Sequence, residues 1–144
     1  MRWLAIDHGT KKIGLAFSDE LEILASPFEV WPQEERTLDR LTRLCKEEGV
    51  QALAVGLPRH KDGAESATAP AARAFGEALA RRTGLPLRLV NEHLSSAEAE
   101  RLLRERGIKP EKRKLLLDAA AAAVILSELL EDRKAKGIPV ARLD

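Results

Sequence analysis

The chain opens on an unbroken apolar run, Trp3-Leu4-Ala5-Ile6, that stops at Asp7. A run with no polar alternation predicts a strand covered on both faces. After the polar turn His8-Gly9-Thr10-Lys11, a second run follows, Ile13-Gly14-Leu15-Ala16-Phe17, so the two predict a hairpin. Gly9 permits a turn that a Cβ would obstruct. Residues 23–30 predict a third strand, at an edge or bulged because of Pro27, and ended by Trp31-Pro32. Leu38, Leu41 and Cys45 recur at helical spacing within 33–48, with Gly49 as the stop. Residues 51–55 predict a fourth strand running into Gly56-Leu57-Pro58. An alanine-rich helix over 66–83 ends at Gly84, and a fifth strand over 85–90 runs into Asn91-Glu92-His93. A helix over 96–107, a basic loop KPEKRK and a long helix over 114–133 complete the pattern, with a loosely ordered tail from Gly137. The expected fold is α/β: a five-stranded mixed sheet, an antiparallel three-strand meander followed by parallel strands, flanked by helices. One domain is expected over 1–136, with 137–144 as a C-terminal tail.

Asp7 follows directly on a buried run, at the carboxyl end of a central strand, where ligands collect in α/β sheets. The alternative is an Asx cap of the turn. Glu92 repeats the arrangement on the fifth strand, with helix capping or a loop role as its alternative. On the long helix, Leu115, Asp118, Ala122, Ile125 and Leu129 fall on one face, and only Asp118 is polar. A lone charge there is costly unless it is paired or binds a cation. The spacing therefore delivers Asp118 to the sheet edge, with a salt bridge to Lys11 or Lys12 as the alternative. The alanines after it let the helix pack close to the sheet. With one strand between them, strand ends lie about 10 Å apart, so inward-leaning Asp7, Glu92 and Asp118 suit a shared divalent ion or an ion pair. Hard oxygen donors favour Mg²⁺ or Mn²⁺ over Zn²⁺.

Composition narrows the class. Apolar residues make up 44% and charged residues 33%, which suits a folded globular chain. No apolar run is long enough to span a membrane. Met1 leads straight into the first strand, and Cys45 is the single cysteine, a small buried hydrophobe in its helix pattern. Both point to the cytoplasm. The net charge of +1 says little, but residues 101–114 hold seven basic side chains against two acidic ones. Such clusters match phosphate backbones. Lys109, Lys112, Arg113 and Lys114, with Thr10, Lys11 and Lys12 of the first turn and Arg59, Lys61 and His93 of the loops, are the candidate nucleic-acid contacts. His8, His60 and His93 all fall in loops at that edge and rank low as proton-transfer groups. Tyrosine is absent and the few aromatics read as core, so no base-stacking platform is expected.

Four motifs in order, Asp7-x-Gly9-Thr10-Lys11-Lys12-Ile13-Gly14, Val55-Gly56-Leu57-Pro58 with Asp62-Gly63, Asn91-Glu92-His93-Leu94-Ser95-Ser96, and Asp118-Ala119-Ala120, resemble the YqgF/RuvX family. The resemblance spans residues 2 to 130. It implies an RNase H-like fold related to the RuvC Holliday junction resolvases, and a nuclease that trims the 5′ end of pre-16S rRNA in ribosome biogenesis. By that likeness Asp7, Glu92 and Asp118 are the metal-binding acids, and the partners are structured RNA or branched DNA and ribosomal particles, met as a monomer or weak homodimer. The family's Asp-Glu-Arg and Leu-Thr-Thr become Asn91-Glu92-His93 and Leu94-Ser95-Ser96 here, which removes one flanking charge and one arginine. Asp-x-Gly-Thr also opens the phosphate loop of the actin-like and sugar-kinase ATPases. Those need two such domains, and 144 residues hold one. Junction cleavage on DNA, and a non-catalytic RNA-binding assembly factor, are the competing readings.

Overall fold

The computed structural model describes residues 1–59, 62, 64–92, 96–140 and 142–143. The elements run β1 (Trp3–His8), β2 (Lys12–Ser18), β3 (Ala25–Pro32), α1 (Thr37–Glu47), β4 (Ala52–Pro58), α2 (Ala69–Thr83), β5 (Leu87–Glu92), α3 (Ser96–Glu105) and α4 (Pro110–Ala135). The sheet has the order β3-β2-β1-β4-β5, with β1 and β3 antiparallel to β2, and β4 parallel to β1 and β5. This is the mixed sheet the apolar runs predict. β3 is an edge strand, and its register slips by one residue at Phe28, next to Pro27. The bulge sits beside a proline that has no N–H to give a ladder.

The two faces of the sheet are built from different side chains. Leu4, Ile6, Ile13, Leu15, Leu53 and Val55 pack against α1 and α2, in a core that includes Leu41, Ala72 and Leu79. Cys45 is buried there, and burial pushes its thiol up to about 11. On the opposite face the inward residues, apart from the fully buried Trp3 at the start of β1, are small: Ala5, Ala16, Ala25, Ala52 and Ala54. They meet Ala122, Ala123, Leu126 and Leu130 of α4. Small residues on both sides let the helix lie close to the strands, as the alanine run predicts. α3 packs on α4 through Ala99, Leu103 and Ala120.

Two boundaries and one helix face stand out against the sequence pattern. β3 carries on through Trp31 and Pro32, because Ile13 pairs with Trp31 and Lys12 with Pro32. α4 begins at Pro110, so the KPEKRK stretch is largely the helix's first turns and not a loop. Lys109 has an extended backbone and Pro110 takes the first helical position, where its missing N–H costs nothing. Those first turns also overhang the sheet, so Leu115 is 72% exposed and leaves the buried face drawn for it. The chain after α4 is tied back to the body. Arg133 donates to the carbonyl oxygens of Pro139, Arg142 and Leu143, and Arg88 also donates to that of Leu143.

Candidate active site

Asp7 is the fifth residue of β1 and faces the α4 side of the sheet, two residues beyond Ala5. Its partner across β2 is Gly14. A Cβ on Gly14 would fall 1.9 Å from the backbone oxygen of Asp118. The missing side chain is what seats α4 on β2 at this level, and it sets Asp118 beside Asp7. The two carboxylates feel each other. Burial, and then the charge of Asp118, raise the Asp7 carboxyl from 3.8 to about 6. Asp118 is one-third exposed, and its Oδ2 lies 3.2 Å from Lys12 Nζ. The salt bridge weighed as the alternative for Asp118 is therefore formed, beside an acid pair that it only partly neutralises.

Glu92 ends β5 and pairs with Pro58 of β4. Asp7 stands one residue beyond the Ile6–Val55 pair, level with Gly56, so Glu92 lies on the same face, across β4 and two residues further along. Both of its carboxylate oxygens are shielded from solvent. A Cβ on Gly56 would come 2.6 Å from Ile125 Cδ1 and 3.7 Å from Glu92 Cβ, so this second glycine makes room for α4 between Asp7 and Glu92. The structure thus puts all three acids on one sheet face and brings two of them together. Among the described residues, no three histidine, cysteine or acidic side chains close into a metal-binding cluster. The donor set that is gathered, two carboxylates open to solvent on one side, fits Mg²⁺ or Mn²⁺, which take one or two protein carboxylates and fill the rest of their shell with water and phosphate oxygen.

The candidate phosphate contacts divide. Thr10, Lys11 and Lys12 are exposed on the β1–β2 turn, and Lys109, Lys112 and Lys114 are exposed at the start of α4. Arg113 turns inward, its Nε donating to the carbonyl oxygen of Ile108 at 2.8 Å. Arg59 donates its Nε to Asn91 Oδ1 at 2.9 Å and lies 3.7 Å from Glu65. The amide at 91, a departure from the resembled family, thus serves as an acceptor for arginine. Lys61, His60 and His93 lie outside the described residues. His8 is half-buried against Phe75, and burial lowers its pKa, which suits packing more than proton transfer.

A shallow groove beside Asp118 is lined by Lys12, Glu29, Trp31, Arg40, Lys114 and Leu115. The Arg40 guanidinium lies 4.0 Å from the centre of the Trp31 ring, whose Nε1–H donates to Glu29. The sequence pattern did not single out Arg40. It also passed over Gly14 and Gly56 as site residues, although a glycine inside a strand run is itself a sign of close backbone approach.

Residues 1–132 match a family described as RuvX, Holliday junction resolvase. A protein of Lachnospira eligens named "Putative pre-16S rRNA nuclease" is 39% identical over 93% of this chain and 99% of its own length. One of Anaeromyxobacter with the same name is 43% identical over 94% of this chain and all of its own. Among solved structures, Thermus thermophilus RuvC superposes with a TM-score of 0.61 at 20% identity, covering 94% of this chain and 97% of its own. The same protein in complex with a Holliday junction substrate gives 0.60 at 21% identity, covering 94% and 96%. These likenesses establish the RuvC-like, RNase H-like fold.

Proposed function

Because the chain belongs to the RuvX family, we propose that it is a divalent-metal-dependent nuclease that hydrolyses phosphodiester bonds of pre-16S rRNA at the 5′ end. The single observation that carries the catalytic reading is Asp118 seated on Gly14 beside Asp7, two carboxylates held together on one face, with Lys12 paired to Asp118. Asp7 and Asp118 would hold the ion, with Glu92 as the third acid. When bound, Mg²⁺ or Mn²⁺ supplies an activated water and stabilises the leaving oxygen. The chain's own residues do the rest. Thr10, Lys11 and Lys12 meet the phosphates next to the acids, and Lys109, Lys112 and Lys114 carry the strand away along the start of α4. The lack of an exposed aromatic platform favours recognition of backbone and shape.

The relatives' shared name favours RNA, presented free or in ribosomal particles, and the family description favours a four-way DNA junction as the second substrate. We place the activity in the cytoplasm, in one nuclease domain over 1–136 acting as a monomer or weak homodimer. No helix among the described residues is long and apolar enough to cross a membrane. The test is cleavage of a pre-16S fragment and of a four-way junction, with Mg²⁺ or Mn²⁺, by wild type and Asp7→Asn. RNA cleavage by wild type and a loss of at least about 100-fold in the variant is the expected result. Symmetric cutting of the junction alone moves the assignment to resolvase. Binding of RNA without cleavage, unchanged by Asp7→Asn, overturns the catalytic reading in favour of an assembly factor.

A further inference from the structure

Lys12 stands in a place that phosphate binding alone does not explain. It lies two residues before Gly14 on β2, so it shares the face on which Asp7 and Asp118 meet. Its ammonium is 3.2 Å from Asp118 Oδ2, while its side chain is 61% exposed. Two carboxylates and one flexible cation therefore occupy one corner of the sheet. The arrangement has a simple electrostatic reason. Gly14 lets Asp118 approach the level of Asp7, and a positive charge beside Asp118 offsets part of the repulsion between the two. Lysine suits a temporary role, because its ammonium is a point charge on a four-carbon stem that can leave for water at small cost.

We propose that Lys12 is a displaceable counter-cation for the acid pair: it holds the cation position in the metal-free protein and competes directly with the divalent ion for Asp118. The inference rests on the metal-dependent reading and assigns Lys12 a role before substrate arrives. A metal ion releases the ammonium to the solvent side of the β1–β2 turn, where Thr10 and Lys11 are exposed. Lys12 is then a positioning residue whose availability to phosphate depends on metal loading.

The test is direct Mn²⁺ binding to the full chain without RNA, followed by electron paramagnetic resonance of the free ion. Wild type is compared with Lys12→Met, Lys12→Arg, Lys11→Met and Asp7→Asn. Removing an ion pair of this exposure is expected to tighten Mn²⁺ binding about two- to fivefold in Lys12→Met. Lys12→Arg keeps a cation in reach and is expected to stay near wild type. Lys11→Met removes the same charge from the same turn and is expected to change affinity by less than about twofold, since exposed charges are screened. Unchanged or weaker binding in Lys12→Met, or equal tightening in Lys11→Met, overturns the role of Lys12 and leaves the metal site standing. Mn²⁺ binding absent in wild type, or unaltered in Asp7→Asn, overturns the metal-dependent reading and the inference with it. Circular dichroism of each variant verifies the fold, and Lys12, exposed at a strand end, carries little of it.

Discussion

With its carboxyl raised to about 6, Asp7 opposes folding at neutral pH in the absence of metal. The folded state binds this proton more tightly than the unfolded chain, where the group titrates near 3.8. The stability it contributes is therefore whole below pH 3.8 and is lost as pH rises through about 6. The difference amounts to about 3 kcal/mol at neutral pH. Asp7→Asn is expected to stabilise the metal-free protein by about 1–3 kcal/mol near pH 7, and by much less near pH 4. Urea unfolding in chelator at both pH values reads this. A gap that does not change with pH would mean that Asp7 is not its source. The residue whose loss stops cleavage is then also one whose loss strengthens the fold, as expected where charge is held for function.

At the scale of elements, the site depends on how closely α4 approaches the sheet, and two glycines set that distance. Gly14→Ala places a Cβ against backbone, which cannot step aside, so the helix or strand must move. A loss of about 3 kcal/mol or more in stability is expected, with cleavage lost as Asp118 leaves Asp7. Gly56→Ala meets the end of a flexible side chain, Ile125 Cδ1. Shortening that chain makes room, so Gly56→Ala with Ile125→Val is expected to cost at least about 1 kcal/mol less than the two single changes added. A double-mutant cycle by denaturant unfolding measures the coupling, and simple additivity would show that the two do not touch. The start of α4 lies beyond that close contact and is exposed. An exposed first turn is as polar as a loop, so KPEKRK reads as either one. Pro110 after an extended residue is the local signal that settles it.

Across the whole molecule, the end of the sheet away from the acids is held by charge. Arg133 and Glu22 are both nearly buried and form a two-pronged pair at 2.6 and 3.1 Å. Burial works to raise the Glu22 carboxyl, but Arg133 and the N-terminal amine outweigh it and hold the group below its ordinary range. The stability this pair lends is present above the ordinary glutamate range and is lost as pH falls through the lowered value. Arg133→Met is expected to cost about 3–5 kcal/mol, because it leaves the buried Glu22 with only the N-terminal amine and takes a donor from the carbonyl groups of residues 139 and 142. Adding Glu22→Gln is expected to restore part of that loss, read as the shift in unfolding midpoint. No recovery would mean that the backbone contacts of Arg133, and not the ion pair, carry its effect. RNA cleavage by the surviving folded fraction of Arg133→Met is expected to stay within about twofold of wild type, since Arg133 lies about four turns along α4 from Asp118.

Unbroken apolar runs were enough to place β1, β2 and β4, because strands buried on both faces lose their alternation, while the edge strands β3 and β5 had to be read from shorter apolar stretches interrupted by polar residues. A carboxylate directly after such a run marked Asp7 and, one residue late, the end of β5 at Glu92. The odd polar residue on a helical face marked Asp118. What one dimension does not hold is distance. Strand order puts β4 between Asp7 and Glu92, while two absent side chains, at Gly14 and Gly56, let α4 settle and bring Asp118 to Asp7. Which cations stay exposed and which turn inward was likewise decided by packing. Arg59 and Arg113 read in the sequence as free positive charge, yet the Asn91 amide on the neighbouring strand and the Ile108 carbonyl just before α4 claim them. Periodicity reports which face of an element is buried. Only the packed structure fixes which atoms meet there, because contact depends on side-chain volume and register summed over several strands.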